Sequence, residues 1–243
     1  MQHVRPWISF LFAMFVMAAV ADVVPAQTTK PAERPPRAGG NPAFAPVTDD
    51  PALPRVLLIG DSISIGYTLP AREQLKGRAN VHRPAANCGP TTRGVANLDA
   101  WLGDGKWNII HFNFGLHDLK YIDDAGKNSS PDKGHPQVSP AQYEKNLEQI
   151  VERLTKTGAF LIFATTTPVP PGEPQRVHDD AVKYNEIARR VMKKHDVRIN
   201  DLHAFCLPRL KEIQLPANVH FTQAGYAALA EEVAKQIEVA FPH

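Results

Sequence analysis

Five short strand-like runs, most of them apolar without alternation and spaced by helical patterns, constrain this chain more than any other feature. They are RVLLI (55–59), the weaker NVHRP (80–84), WNIIHFNFG (107–115), AFLIFATTT (159–167) and VRIND (197–201). An apolar run that does not alternate is a strand covered on both faces, and strands that alternate with helices pair in parallel. The clearest helix is SPAQYEKNLEQIVERLTKTG. Ser139 caps it, Pro140 takes the first turn, and Gln142 completes a capping box. Tyr143, Leu147, Ile150, Val151 and Leu154 form its apolar stripe, and Gly158 ends it. Residues 179–195 and 222–241 share this character. The expected fold class is α/β, a three-layer α/β/α sandwich around a parallel sheet.

The ends of the chain read differently. MQHVRPWISFLFAMFVMAAVADVVPAQ has a basic start at Arg5, an apolar stretch from Trp7 to Val20, and small residues at Ala19, Ala21 and Ala26. This is the pattern of a secretory signal peptide over residues 1–26, which places the chain in the periplasm or outside the cell. The stretch is short for a membrane span, so no stable insertion is expected after cleavage. TTKPAERPPRAGGNPAFAPVTDDPALP, rich in Pro, Gly and charge, reads as a disordered tether over 27–54. Residues 55–243 are then one folded domain. A net charge of +2 gives no reason to expect nucleic acid as a partner. No Cys/His cluster has metal-ligand spacing and no glycine loop cradles phosphate, so neither metal nor other cofactor is expected.

In an open parallel sheet, functional residues gather on loops leaving the carboxyl ends of the strands. Four stretches fall there: GDSIS after the first strand, AANCGPTTRG after the second, FGLHD after the third, and LPANVHF before the last helix. Ser62 follows a strand and starts a helical segment, where its backbone N–H is free to bind an anion. A serine hydroxyl needs a general base, and His220 is the best candidate. The bland alternative for Ser62 is helix capping. The Gly-Xaa-Ser-Xaa-Gly elbow of the commonest esterases is absent.

Taken together, the four stretches resemble the SGNH (GDSL-type) hydrolases from Arg55 to the C-terminal helix. Gly60-Asp61-Ser62 is similar to the block that carries the nucleophile, and Asn87-Cys88-Gly89 to the block whose glycine donates to the oxyanion. Gly115-Leu116-His117-Asp118 aligns with Gly-Xaa-Asn-Asp, and His220 with the histidine of Asp-Xaa-Xaa-His. The resemblance implies a five-stranded sheet of flavodoxin-like order 2-1-3-4-5. That order puts Cys88 and Cys206 near opposite edges, too far apart for a disulfide. It also implies a serine esterase with Ser62 and His220 as catalytic residues, and an oxyanion hole of Ser62, Gly89 and His117. Asp61, Asn87 and Asp118 support the loops.

The chain departs from that pattern twice. His117 stands where the family has an oxyanion-donating asparagine, and a ring N–H is a chemically adequate substitute. The second departure is Ala217, which stands where the family has the aspartate that orients the histidine. The expectation is a Ser62–His220 dyad oriented by a main-chain oxygen, by Asn218 despite its less suitable offset, or by a distant acid such as Asp201. Tyr67, Trp101 and Trp107 read as core or rim, and His111 as a satisfied core histidine. Residues 119–138 and 165–180, both polar, are expected to form opposite walls of the site. Those walls favour removal of a small acyl group, acetyl above all, from carbohydrate. Lysophospholipase or thioesterase chemistry and non-catalytic carbohydrate binding are the alternatives. The expected partner is a small-molecule or polysaccharide ester, and the chain is expected to be a monomer.

Overall fold

The computed structural model describes residues 40–241, together with Met1. The expected signal peptide and the first part of the expected tether lie outside the described residues.

The apolar runs form the expected sheet. Strand β1 is Arg55–Ile59, followed by helix α1 (Ser62–Gln74), β2 (Asn80–His82), α2 (Thr91–Leu102) and β3 (Ile109–Phe112). A small hairpin of β4 (Tyr121–Ile122) and β5 (His135–Pro136) interrupts the alternation. Then come α3 (Pro140–Thr155), β6 (Phe160–Ala164), α4 (Asp180–Lys194) and β7 (Arg198–Asn200). Two short helices, α5 (Leu202–Cys206) and α6 (Leu210–Ile213), precede α7 (Gln223–Glu238). The main sheet runs β2-β1-β3-β6-β7 with every pair parallel, which is order 2-1-3-4-5 when only its own strands are counted. Register places Leu57 beside Ile110, and Ile110 beside Leu161. Leu58, Ile59, Ile110, Phe112, Ile162 and Phe163 are wholly buried, as strands covered on both faces require. Helix α1 packs on α7, while α2, α3 and α4 pack side by side as the other layer.

Three local expectations are corrected. First, the tether does not extend to residue 54. From Asn41 the chain is folded: Asn41 caps a short 3-10 helix, Pro42–Phe44, and Ala43 is buried. Asp49 pairs with Arg55 and His82, and the Asn80 side chain bonds the backbone of Asp50 and Leu53. These are fixed partners that composition does not register. Second, part of the stretch read as a loop after β2 is helix. Thr91 begins α2, and the signal was masked by Gly94, whose missing Cβ would lie 2.8 Å from Ile150 and Phe114. Third, the capping box on α3 is half made. Ser139 accepts from the Gln142 N–H, but the Gln142 side chain turns to Asn146 at 2.7 Å.

Both cysteines are buried, free thiols, and burial pushes Cys88 up to about 11 and Cys206 up to about 12. His111 is less satisfied than expected. Its Nε2 meets Asn200 at 3.2 Å, its Nδ1 has no partner among the described residues, and burial lowers its pKa to about 4.

The α1–α7 contact is close-fitting. A Cβ at Gly66 would lie 2.1 Å from the Tyr226 ring, so the helices approach as they do only because residue 66 has no side chain. Gly66→Ala is expected to cost about 1–3 kcal/mol of stability despite the better helix propensity of alanine. Chemical denaturation checks this, with an unchanged or raised midpoint as the contrary result.

Candidate active site

At the end of β1 the chain turns sharply into α1. The Asp61 carboxylate accepts the Ile63 N–H at 2.9 Å and so caps the helix. This settles the role of the buried aspartate and places Ser62 at the first helical position. There its own N–H has no intrahelical acceptor and the helix dipole favours negative charge.

Behind this turn lies Arg83, which the sequence reading passed over. Its buried guanidinium donates to the hydroxyls of Ser64 and Thr68 at 3.0 and 2.9 Å, and to the carbonyls of Gly60 and Ala86 at 3.4 and 3.1 Å. One planar group thereby ties the nucleophile-type turn to the loop after β2. An arginine just past a weak strand carries no sequence signature of that duty.

His220 arrives from the other end of the chain, in the turn before α7. Its Nε2 lies 2.9 Å from the Ser62 Oγ. Its Nδ1 lies 2.8 Å from the Asn218 Oδ1, and the same oxygen accepts the His220 backbone N–H at 3.0 Å. An acceptor on Nδ1 puts the ring proton there and turns the Nε2 lone pair toward the serine. Of the orienting groups considered from sequence, Asn218 is therefore the one in place. Ala217 adopts the left-handed conformation at φ 50°, which curls the turn and lets the next side chain reach back over two residues. Asp201 is engaged elsewhere. It accepts from Thr165 Oγ1 and the Ala204 N–H and pairs with Arg189, capping α5.

The oxyanion loops need one correction. The Gly89 N–H, expected to face the substrate, donates to the Asn87 Oδ1 at 3.0 Å, with Gly89 at φ 63°. It stabilises its own loop instead. The Asn87 side chain lines the cleft, and its Nδ2 has no partner among the described residues. An asparagine two positions before a glycine is the signature of a local Asx turn, so this pairing was readable from sequence. His117 also lines the cleft, and its ring has no hydrogen-bond partner among the described residues. Burial, opposed by Asp61 and helped by Lys120, Arg176 and His220, holds its pKa below the usual histidine value, which favours the neutral ring with one N–H.

Asp118 does not hold His117. Its Oδ1 accepts the Thr91 N–H and hydroxyl, Thr91 in turn accepts from Asn146, and Asn146 from Gln142. This chain anchors the loop after β3 to α2 and α3. Burial pushes the Asp118 carboxyl up to about 7.

The cleft above Ser62 has a volume of about 510 Å³. The two polar stretches expected as opposite walls form one wall instead. The Tyr121 N–H donates to the Gln175 carbonyl at 2.8 Å, and Arg176 Nε to the Leu116 carbonyl at 2.8 Å. The turn of residues 217–220 also lines the cleft. Among the described residues, one ligand-type cluster has metal-compatible spacing. It is Glu148, Glu152 and His195, between α3 and α4 and apart from the cleft lining, with Lys194 already 3.0 Å from both Glu148 oxygens.

Two expectations follow from this geometry. Asn218→Ala is expected to lower kcat by about 10-fold or more, since the ring loses its tautomer-fixing acceptor. For His117, replacement by Ala should cost about 10²-fold in kcat while Asn retains most of it; wild-type rates in both variants would be incompatible with an oxyanion role.

Comparisons with known proteins identify the family. The profile of the GDSL-like lipase/acylhydrolase family matches residues 58–228. Among solved structures, a lipase/acylhydrolase from Enterococcus faecalis is similar, with a TM-score of 0.62 and 19% identity. The match covers 76% of this chain and 96% of that one. An acetylxylan esterase from Geobacillus stearothermophilus superposes with a TM-score of 0.62 at 17% identity, over 76% of this chain and 94% of that one. A second acetyl xylan esterase gives 0.60 at 17%, over 75% and 99%. Comparison with curated proteins gives no match. At such identities the neighbours show the fold, while the family match spans most of the chain and includes all four loops. The chain belongs to the GDSL-like lipase/acylhydrolase family and is a carboxylic ester hydrolase of the SGNH type.

Proposed function

We propose that this protein is an exported serine esterase that removes small acyl groups, above all acetyl, from carbohydrate through an acyl-enzyme. The observation that carries the reading is the 2.9 Å contact between Ser62 Oγ and His220 Nε2 in an open polar cleft. In the first step the Ser62 Oγ attacks the ester carbonyl carbon while its proton passes to His220 Nε2. The imidazolium is held by the Asn218 oxygen on Nδ1. The negative carbonyl oxygen is received by the Ser62 N–H, the His117 ring N–H and the Asn87 amide, while Gly89 supports Asn87. Collapse breaks the bond to the alkoxy group, which takes the proton from His220. Water, deprotonated by the same ring, then attacks the acyl carbon and releases the acid and free Ser62.

The lining supports a hydroxyl-rich leaving group. Asn128 and Gln175 present amides with no side-chain partner among the described residues, beside Lys120 and Glu173. Such groups suit sugar hydroxyls better than a fatty chain. The N-terminal sequence pattern supports export.

One observation favours a second reading, a lysophospholipase- or thioesterase-type enzyme. A groove of about 260 Å³ lined by Pro170, Pro171, Leu210, Leu215 and Pro216 meets the cleft at Ala217 and offers apolar surface to an acyl chain.

Acetate release from acetylated oligosaccharides, set beside butyryl, octanoyl and palmitoyl esters, decides between them. The expected result is a rate that falls steeply beyond the acetyl group. Ser62→Ala is expected to remove roughly 10³-fold or more of the activity. Undiminished hydrolysis in that variant would overturn the mechanism, and preference for the long chains would transfer the reading to the second class.

A further inference from the structure

We infer that the wall of the cleft beside His117 is an anion subsite, so that the preferred substrate carries a negative group next to the ester. It rests on the carbohydrate-esterase reading above and names the class of sugar. Two cations line this wall, Lys120 and Arg176, with one carboxylate, Glu173, among them.

Arg176 is fixed. Its side chain is 7% exposed, its Nε donates to the Leu116 carbonyl at 2.8 Å, and its Nη1 pairs with Glu173 at 2.9 Å. Its Nη2 has no bond among the described residues. Glu173 is committed as well, with its second oxygen accepting the Gln175 N–H at 2.9 Å. That leaves Lys120. Its ammonium makes no ion pair or hydrogen bond among the described residues, although the side chain is partly withdrawn from water. Burial and the neighbouring Arg176 lower its pKa, with Glu173 opposing them. The other carboxylate lining the cleft, Asp61, is buried and turned to the N-terminus of α1.

The backbone holds the cations in place. The Lys120 carbonyl accepts the Gln137 N–H at 2.7 Å, and Tyr121, next in sequence, is bonded to Gln175. A half-buried, unpaired ammonium on a rigid wall is costly on its own and is relieved by a bound anion. Lys120 as a point charge, together with the free Nη2 edge of Arg176, matches a carboxylate or a phosphate on the sugar.

The test follows acetate release from acetylated methyl glucuronide, from its neutral methyl ester, which is larger by one methyl group, and from an acetylated methyl glucoside 6-phosphate. The wild-type enzyme should favour the charged sugars over the neutral one by roughly 10-fold or more in kcat/KM, and added salt should erode the preference. Lys120→Gln should lower kcat/KM on the charged sugars about 10-fold more than on the neutral ester, and Lys120→Glu should invert the preference. Greater preference for the phosphate or for the carboxylate assigns the anion; both support the subsite. Equal rates on all three sugars would overturn the subsite while leaving the carbohydrate reading intact. An equal proportional loss in Lys120→Gln on charged and neutral sugars would overturn it too, because the lysine would then be acting on the ester chemistry. Hydrolysis of 4-nitrophenyl acetate with no action on any of the sugars would instead end the carbohydrate reading, and the subsite with it.

Discussion

The site depends on one approach, that of the first helix to the last. Ser62 and His220 are 158 residues apart and belong to different ends of the chain. They meet because α1 and α7 pack on one another, and Gly66 lets Tyr226 lie directly against the α1 backbone. A serine and a histidine at hydrogen-bond distance are useful only if neither wanders by as much as an ångström. The fold secures each from its own side. Asp61 and Arg83 fix the turn that starts α1, and Asn218 fixes the ring that precedes α7.

Asn218 changes the electrostatics of such a pair. A carboxylate on Nδ1 would stabilise the imidazolium by full charge attraction, whereas an amide oxygen contributes a dipole. The ring is still given its tautomer, with its Nε2 lone pair turned to the serine. The surroundings of Ser62 follow the same economy of charge. His117 is held neutral, and the carboxylate of Asp61 serves a helix end without moving a proton.

What sequence could disclose divides along a physical line. Strands β1, β3 and β6 were legible because burial on both faces leaves no room for polar residues, and α3 because its stripe and cap are local. The four chemical loops were legible by type and order. What stayed hidden depends on partners far away in sequence. The packing of residues 41–54 rests on Asn80 and His82, and α2 is disguised by a glycine that only its neighbours Ile150 and Phe114 explain. The hydrogen bond that consumes the Gly89 N–H was local and was missed because the family resemblance pointed to another use of that group. Asn218 was undervalued for a different reason. A two-residue offset suffices only when the preceding residue is left-handed, and alanine gives no hint of that.

The folded segment ahead of β1 has a consequence for the sheet as a whole. β2 is an outer strand, and such a strand offers unpaired backbone groups to any other chain that comes alongside. Residues 49–53 lie against it through the side chains of Asn80 and His82. What looks in composition like a leash is, just ahead of β1, lashed down to the outermost strand. A chain begun at Arg55 would leave the Asn80 amide and the His82 ring without these partners.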